Sequence, residues 1–369
     1  MKRVMVAMSG GVDSSVAAQV LAGCGDIQAE GAYIRTWQHE DDFFGDCPAG
    51  REIEDARAVA EQLGIPFRVV NLVDHYREKV VDYLVSGYEA GVTPNPDVYC
   101  NLEVKFGAFL DIAIEAGFEA VATGHYCRKR ENADGTHDIL EGADKNKDQS
   151  YFLALLRQDQ VRRALFPIGS TAKPRVRQIA RSAGFAIADK KDSQGICFLG
   201  KININDFLGA RIDDTPGEIV NPNGQIVGKH RGLHHYTIGQ RKGIGVPSNT
   251  DNKAYVVVGK DAEKNHLQVA FDEPDAAIYV RRATLAPLSF TNREISGRVR
   301  LLAKPRYRDP STSVELVPEE GGRTTVLFDE VQRALAPGQV MALYDGDTLL
   351  GGGVYIGSDR SRPPVRKPG

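Results

Sequence analysis

Apolar and polar positions along the first half of the chain follow two rhythms. Residues 4–8 (Val-Met-Val-Ala-Met) are an unbroken apolar run that predicts a buried strand, residues 14–22 predict a helix, and residues 29–34 a second strand. The alternation continues with a helix over 51–63, a strand over 67–70, helices over 74–90 and 102–116, and a strand over 120–123. Strands separated by helices pair in parallel, so this half is expected to be an α/β unit with a doubly wound parallel sheet. Beyond about Leu199 the helical period is lost, and short β-branched runs alternate with Pro-Gly, Pro-Asn-Gly and Gly-rich turns. That texture predicts a small β-rich insert and then a C-terminal β-barrel. The expected domains are residues 1–204, 205–272 and 273–369, the second boundary falling at the turn residues Asp272-Glu273-Pro274. The Pro/Arg/Lys tail from Arg360 is expected to be frayed.

A chain of 369 residues with 42% hydrophobic content can bury two or three cores, so disorder is not expected. No stretch approaches the roughly 18 to 20 consecutive apolar residues of a membrane span, and Met1-Lys2-Arg3 leads straight into a strand pattern, not a signal-peptide core. A cytoplasmic protein without a membrane partner is expected. The five cysteines (Cys24, Cys47, Cys100, Cys127, Cys197) are odd in number, scattered and form no CxxC pair, so neither a disulfide scaffold nor a zinc ribbon is suggested. A formal charge of −3 means that any polyanion must be met by local basic patches.

The sharpest local signal is Ser9-Gly10-Gly11-Val12-Asp13-Ser14-Ser15, which follows the first strand and opens a helix. Two glycines let a backbone approach a ligand closely, the Ser9 and Ser14 hydroxyls can donate, and a helix amino terminus offers amides and a favourable dipole to phosphate. The segment lacks the Gly-Lys-Ser/Thr ending of a Walker A loop and instead resembles the pyrophosphate loop of enzymes that cleave ATP between its α and β phosphates.

Two cysteines stand in chemical contexts. In Thr93-Pro94-Asn95-Pro96-Asp97-Val98-Tyr99-Cys100-Asn101 the prolines stiffen the approach to a helix starting near Asp97. Cys100 is expected in the first turn, where amides favour its thiolate, with Asp97 on the same side to relay a proton. In Lys190-Lys191-Asp192-Ser193-Gln194-Gly195-Ile196-Cys197-Phe198 a cysteine is presented on a polar stretch beside two lysines that would stabilise a thiolate. Cys24 and Cys127 read as structural, and Cys47 as ambiguous.

The blocks SGGVDSS, TPNPDVYCN, ATGHY, NKDQSYFL, KKDSQGICF, YTIGQRKGIG and LGGGVY, in that order, resemble the bacterial tRNA-specific 2-thiouridylases of the ATP pyrophosphatase-loop superfamily, over nearly the whole chain. The resemblance implies an adenine nucleotide alpha hydrolase-like first domain and a tRNA-contacting barrel. It also implies ATP-dependent 2-thiolation of the wobble uridine of tRNA, giving 2-thiouridine, AMP and pyrophosphate. In that chemistry ATP adenylates the C2 oxygen. A persulfide on Cys197, loaded by a sulfur-relay protein or a cysteine desulfurase, supplies the sulfur, and Cys100 attacks it to leave a Cys100–Cys197 disulfide for a reductant.

Carried over position by position, the catalytic residues are Cys100, Cys197 and Asp97, the last an acid/base. Nucleotide contacts fall on Ala7, Met8, Ser9, Gly10, Gly11, Val12, Asp13, Ser14, Ile34 and Gly124, with Ile34 standing where the family often carries Met. Contacts to tRNA fall on Asn95, Pro96, Asp97, His125, Lys147, Asp148, Gln149, Arg306, Tyr307 and Gln339. Mg2+ is expected with ATP, with only a weak case for Asp13 as its ligand. Cys47-Pro48-Ala49-Gly50 departs from the family's usual stretch without touching the proposed chemistry.

Basic residues cluster at Arg298 and Arg300, at Lys304, Arg306 and Arg308 around Tyr307, and at Arg177 with Arg181. Clusters of this kind are ordinarily solvated faces, and only the resemblance assigns RNA contact, to Arg306 and Tyr307; Arg241 and Lys242 are expected to face tRNA. His230 and His234 fall four apart, but Gly232 and the β-like Tyr236-Thr237-Ile238 argue against a helix there. No carboxylate cluster lies nearby in the chain, so no metal ligands are assigned. Three other readings stay open: an amidating ligase acting on a small molecule, an RNA-binding protein with a vestigial nucleotide fold, and a sulfurtransferase in which Asp97, Cys100 and Cys197 hold an iron–sulfur cluster.

Overall fold

The computed structural model describes residues 1–37, 49–192, 203–247, 253–273 and 276–358, so the expectations for Cys47 and Cys197 lie outside the described residues. Strand β1 (Lys2–Ala7) turns Val4 and Val6 to one face and Met5 to the other, all fully buried. It pairs in parallel with β2 (Ile27–Arg35) and with β4 (Ala120–Ala122), while β2 pairs with β3 (Phe67–Asn71) and β4 with β7 (Ala164–Leu165). The result is a five-stranded parallel sheet in the order β3-β2-β1-β4-β7.

Helices cover both faces, as a parallel sheet requires. On the Val4/Val6 face lie α1 (Val12–Ala22), α2 (Ala49–Gln62) and α8 (Lys173–Ser182), contributing Val16, Ala56, Ala60 and Val176 to one core. On the Met5 face the helical segment begins as α3 (Val73–Tyr76), widens into a π-helical stretch (Arg77–Val81) and continues as α4 (Asp82–Glu89). A second run on that face begins at α5 (Pro96–Tyr99), passes through a π-helical stretch (Cys100–Ala108) and ends as α6 (Phe109–Glu115). The helix expected to start near Asp97 begins at Pro96, where Asn95 caps it by accepting from Val98 N at 3.3 Å, and runs on into the stretch expected over 102–116. That corrects the placement of Cys100. It stands in the second turn, its own N–H directed back at the Pro96 and Asp97 carbonyls, so amides left open at a helix start do not surround it.

One element was invisible to periodicity. The hairpin β5 (Cys127–Glu131) and β6 (His137–Glu141) leaves the first domain, and β6 adds itself to the C-terminal sheet by pairing with β18 (Thr348–Ser358), Ile139 opposite Leu349. After α7 (Gln158–Arg163) and α9 (Ile204–Gly209) comes a four-stranded sheet in the order β10-β11-β8-β9. Its strands are β8 (Gly217–Val220), β9 (Ile226–His230), β10 (Tyr255–Asp261) and β11 (His266–Phe271).

The remaining strands are β12 (Tyr279–Leu285), β13 (Ser289–Phe290), β14 (Val299–Lys304), β15 (Thr312–Pro318), β16 (Thr324–Arg333) and β17 (Val340–Asp345). They close a barrel in the order β12-β16-β15-β14-β17-β18, with β18 returning to pair with β12. Alternate residues such as Val280, Val314, Val326, Met341 and Leu343 fill it. Among the described residues no helix is long and apolar enough to cross a membrane.

The structure pairs several residues of the basic clusters with partners inside the protein. Lys304 is mostly buried, its Nζ 2.6 Å from Glu141 and 2.8 Å from Asp148, so it joins the barrel to the first domain. Arg177 donates to the carbonyls of Ala188 and Lys190 and to Asp192, which makes it internal bracing. Arg181 pairs with Asp189, Arg298 with Glu315 and Arg300 with Asp329 at the surface.

Candidate functional site: a nucleotide loop and a cysteine helix

The loop from Ser9 to Gly11 joins β1 to α1 at the carboxyl edge of the sheet, where α/β folds place their ligands. Gly10 sits at φ +67°, and a Cβ there would run into the carbonyl of Glu52, so only glycine fits. Ser9 N donates to Ser14 Oγ at 3.1 Å, the two hydroxyl oxygens lie 3.2 Å apart, and Ser14 Oγ donates to Gly11 O at 3.2 Å. Gly11 caps α1 without any side-chain hydrogen bond, which leaves the first-turn amides to a ligand. Gly124 presses on the same turn, since a Cβ on it would come within 2.7 Å of Ser14 N. The cradle has the backbone donors and bareness that a pyrophosphate group demands. Ala7 is partly buried, and Met8, Val12 and Ile34 are buried in the cores that support this edge.

Asp13 faces inward. Both its oxygens accept from Lys173 Nζ, at 2.7 and 2.8 Å, and Tyr126 OH donates to Oδ1 at 2.7 Å. Asp13 is thus held by an ammonium and a phenol, which weakens its case as a Mg2+ ligand. Lys173 also meets Asp192 at 2.8 Å, and Asp192 in turn holds Lys147 and Arg177 at 2.8 and 2.7 Å. Burial alone would raise the pKa of Asp192, but its hydrogen bonds from Lys147 and Lys173 outweigh this and hold it down at about 2. Lys190 donates to Gly10 O at 2.9 Å and to Asp55 at 2.8 Å, tying its segment to the loop.

A second group forms around α5. Asn95, Pro96 and Cys100 are buried, the last completely, while Asp97 is half-buried and accepts at its carbonyl from Asn101 Nδ2 at 2.9 Å. α5 packs on the tight turn Ser150–Leu153. Tyr151 from that turn hydrogen-bonds Asn95 and donates from its hydroxyl to Val340 O at 2.7 Å. Tyr307 lies on Phe152 with ring centroids 4.3 Å apart, and neighbouring Arg306 pairs with Asp309 at 2.8 Å. Gln339 Nε2 donates to Thr93 O at 2.8 Å. The TPNPDVYC stretch, the NKDQSYF stretch and two barrel positions, far apart in the chain, therefore meet. Gln149 and Lys147 link this group to the loop, Gln149 by accepting from Tyr126 N at 3.0 Å and Lys147 through Asp192.

His125 and Asp148 occupy interior positions. His125 is within 2.7 Å of Thr123 Oγ1 between the rings of Phe106 and Phe166, and burial, reinforced by Lys105, pushes its pKa well below the usual histidine value. Asp148 accepts from Gly142 N, from Ser150 N and Oγ, and from Lys304, so its carboxylate is engaged within the protein. Both shape the surface from beneath.

Sequence models of three domain families match the chain in succession: the tRNA methyl transferase HUP domain over residues 2–201, the tRNA methyl transferase PRC-barrel domain over 205–271, and the aminomethyltransferase beta-barrel domain over 280–355. The tRNA-specific 2-thiouridylase MnmA of Akkermansia muciniphila is 49% identical over 356 residues, covering 96% of this chain and 99% of that protein. The tRNA-specific 2-thiouridylase MnmA of Streptococcus mutans is 45% identical over 95% of this chain and 94% of its own length.

The chain belongs to the tRNA-specific 2-thiouridylase family.

Among solved structures, the U34-tRNA thiolase NcsA of Methanococcus maripaludis with its [4Fe-4S] cluster is 15% identical, with a TM-score of 0.34 over 57% of this chain and 63% of that one, a distance at which it carries no argument. Seen as a 2-thiouridylase, the molecule has loop partners that motif reading missed: Lys173, Tyr126 and Asp55. Lys173 had left a trace in the sequence, because a lysine beside Pro174 at the start of a helix opposes the helix dipole and needs a compensating anion. Asp214 was missed as well. It comes within 2.6 Å of His235 and 3.4 Å of His234, a single carboxylate that folding brings to those histidines.

Proposed function

We propose that this chain 2-thiolates the wobble uridine of tRNA in two steps. The uridine O2 attacks the α-phosphorus of ATP held on the Ser9–Ser14 loop and expels pyrophosphate. A sulfur carried as a persulfide on Cys197 then attacks C2, and AMP leaves with the oxygen. Cys100 closes the cycle by attacking the Cys197 sulfur, which breaks the S–S bond, leaves the outer sulfur on C2 as the thiocarbonyl and forms a Cys100–Cys197 disulfide that a thiol reductant must open. Assignment as a tRNA-uridine sulfurtransferase follows from family membership.

The observation that carries the reading is the bare, uncapped start of α1, cleared by Gly10 and Gly124, together with a cysteine helix assembled from three distant parts of the chain. An unactivated uridine carbonyl is a poor electrophile until its oxygen becomes a good leaving group, so each half needs the other. Mg2+ would travel with the ATP phosphates, since Asp13 is engaged by Lys173. Asp97 is the candidate proton carrier, and Asn95, Pro96, Arg306 and Tyr307 would position the RNA; His125, Asp148 and Gln339 act on it through the residues they support. The sulfur donor would be a relay protein or a desulfurase.

The test is sulfur incorporation into unmodified tRNA with ATP, Mg2+ and a protein persulfide donor. Wild type should form 2-thiouridine with ATP dependence, and Cys197→Ser and Cys100→Ser should not. Pyrophosphate release without any 2-thiouridine in wild type, stimulated by a small metabolite, would move the chain to the ligase reading.

A further inference from the structure

The small β-rich unit carries a side-chain cluster that the thiolation chemistry does not use. Among the described residues, Asp214, His234 and His235 place one carboxylate oxygen and two imidazole nitrogens within 4.8 Å of one another. Both histidines are buried, at 5% and 8% exposure, while Asp214 is open to solvent. His234 Nε2 has no hydrogen-bond partner although it is buried, and it points at Asp214 Oδ1 from 3.4 Å. A buried imidazole nitrogen without a partner ordinarily loses about 1–3 kcal/mol, so its persistence asks for an occupant.

From this geometry we propose that Asp214, His234 and His235 bind a divalent transition-metal ion, with Zn2+ the ion best suited to two imidazoles and one carboxylate, leaving a fourth position for water. A tetrahedral ion with bonds of about 2.0–2.1 Å separates its ligands by about 3.4 Å. The His234–Asp214 spacing already fits at 3.4 Å, and the His235–Asp214 spacing of 2.6 Å opens by rotating an exposed carboxylate. Gly232 supplies the room, because a Cβ there would lie 2.7 Å from His234 Cε1. Arg231 touches His235 Nδ1 only at 3.5 Å, a weak contact that a metal-bound, Nδ1-protonated His235 would release. The third ligand comes from the stretch between α9 and β8, while the histidines come from the short turn Leu233–His235 after β9. The ion would therefore staple the connection leaving the catalytic domain onto the small sheet, a role separate from the ATP and cysteine chemistry.

The experiment uses the full-length chain, stripped with EDTA and desalted, titrated with zinc sulfate against a fluorescent chelator and, in parallel, with cobalt chloride. The parent should take up one equivalent of zinc with a rise in Tm. It should show visible d–d bands with cobalt and no thiolate-to-cobalt charge-transfer band. His234→Gln and Asp214→Asn should each weaken zinc binding at least about tenfold and abolish the Tm rise, while His266→Ala in the same unit should not. Asp214 is exposed, so Asp214→Asn keeps the fold and its metal-free Tm should match the parent's. Failure of the parent to bind zinc, uptake unchanged in Asp214→Asn, or cobalt spectra dominated by thiolate charge transfer would overturn the assignment.

Discussion

Gln339, immediately before β17, donates from Nε2 to the carbonyl oxygens of Thr93 and Pro94, at 2.8 and 3.2 Å, across 246 and 245 residues of chain. Thr93 N returns a hydrogen bond to Pro337 O at 2.8 Å, and Gly338 at φ +91° lies so close that a Cβ would come within 2.9 Å of the Thr93 carbonyl. The barrel thus clamps the segment that leads into Asn95, Asp97 and Cys100. Gln339→Ala should lower kcat/KM for tRNA thiolation about tenfold while costing about 1 kcal/mol of stability, because two of these three hydrogen bonds are lost. ATP affinity should be unchanged, and an equal loss in ATP binding measured by calorimetry would contradict a role confined to the cysteine helix.

Gly10→Ala strains a positive-φ position and drives a methyl group into the Glu52 carbonyl. Pyrophosphate release should be abolished and ATP binding lost in a filter assay, with a stability cost of about 1–3 kcal/mol. Normal ATP binding by a folded Gly10→Ala would mean that the loop is not the phosphate cradle.

Lys173 is a buried cation shared by Asp13 and Asp192. Lys173→Met leaves Asp13 without its cation, while Asp192 keeps Lys147 and Arg177, so unfolding free energy should fall by about 3 kcal/mol in urea melts. Adding Asp13→Asn should restore part of it, since the two changes act on one pair and their effects should not add. Strict additivity would show that the pair contributes no coupling.

Asp192 has a folded-state pKa of about 2, below the unfolded carboxylate value of about 3.9. The unfolded state therefore binds more protons in acid, so this contribution is complete above about pH 4 and disappears as pH falls towards 2. With a discount for partial exposure it amounts to about 1–2 kcal/mol. The stability gap between wild type and Asp192→Asn should shrink steadily over that window, and a gap constant from about pH 6 to pH 2.5 would show that the Lys147 and Lys173 contacts do not hold the charge.

His125 should remain neutral through the physiological range, because burial first and Lys105 second push its pKa down. Its imidazole proton resonances should not titrate between about pH 5.5 and 8, whereas an ordinary histidine titrates near 6.5. Movement of those resonances near pH 6.5 would place the ring in water and reopen a direct part for it in RNA contact.

The sequence alone determined what is local and periodic. The apolar run at 4–8, the Gly-Gly turn after it and the strand–helix alternation that follows specify a parallel sheet with a glycine loop at its edge, since each depends on near neighbours in the chain. The ordered motifs further specified the family. Boundaries within helices were not legible: nothing in the 74–90 pattern announces a π-helical turn, and the Asn95 cap moved the cysteine helix earlier and carried Cys100 out of its first turn. Only the tertiary structure decided which polar groups meet. Lys304 reads as a surface cation by its neighbours, yet closure of the barrel brings it to Glu141 and Asp148. Lys173, Gln339 and Asp214 likewise acquire partners from other elements. A buried charge or amide must find its complement wherever packing puts one, and sequence separation places no limit on where that is.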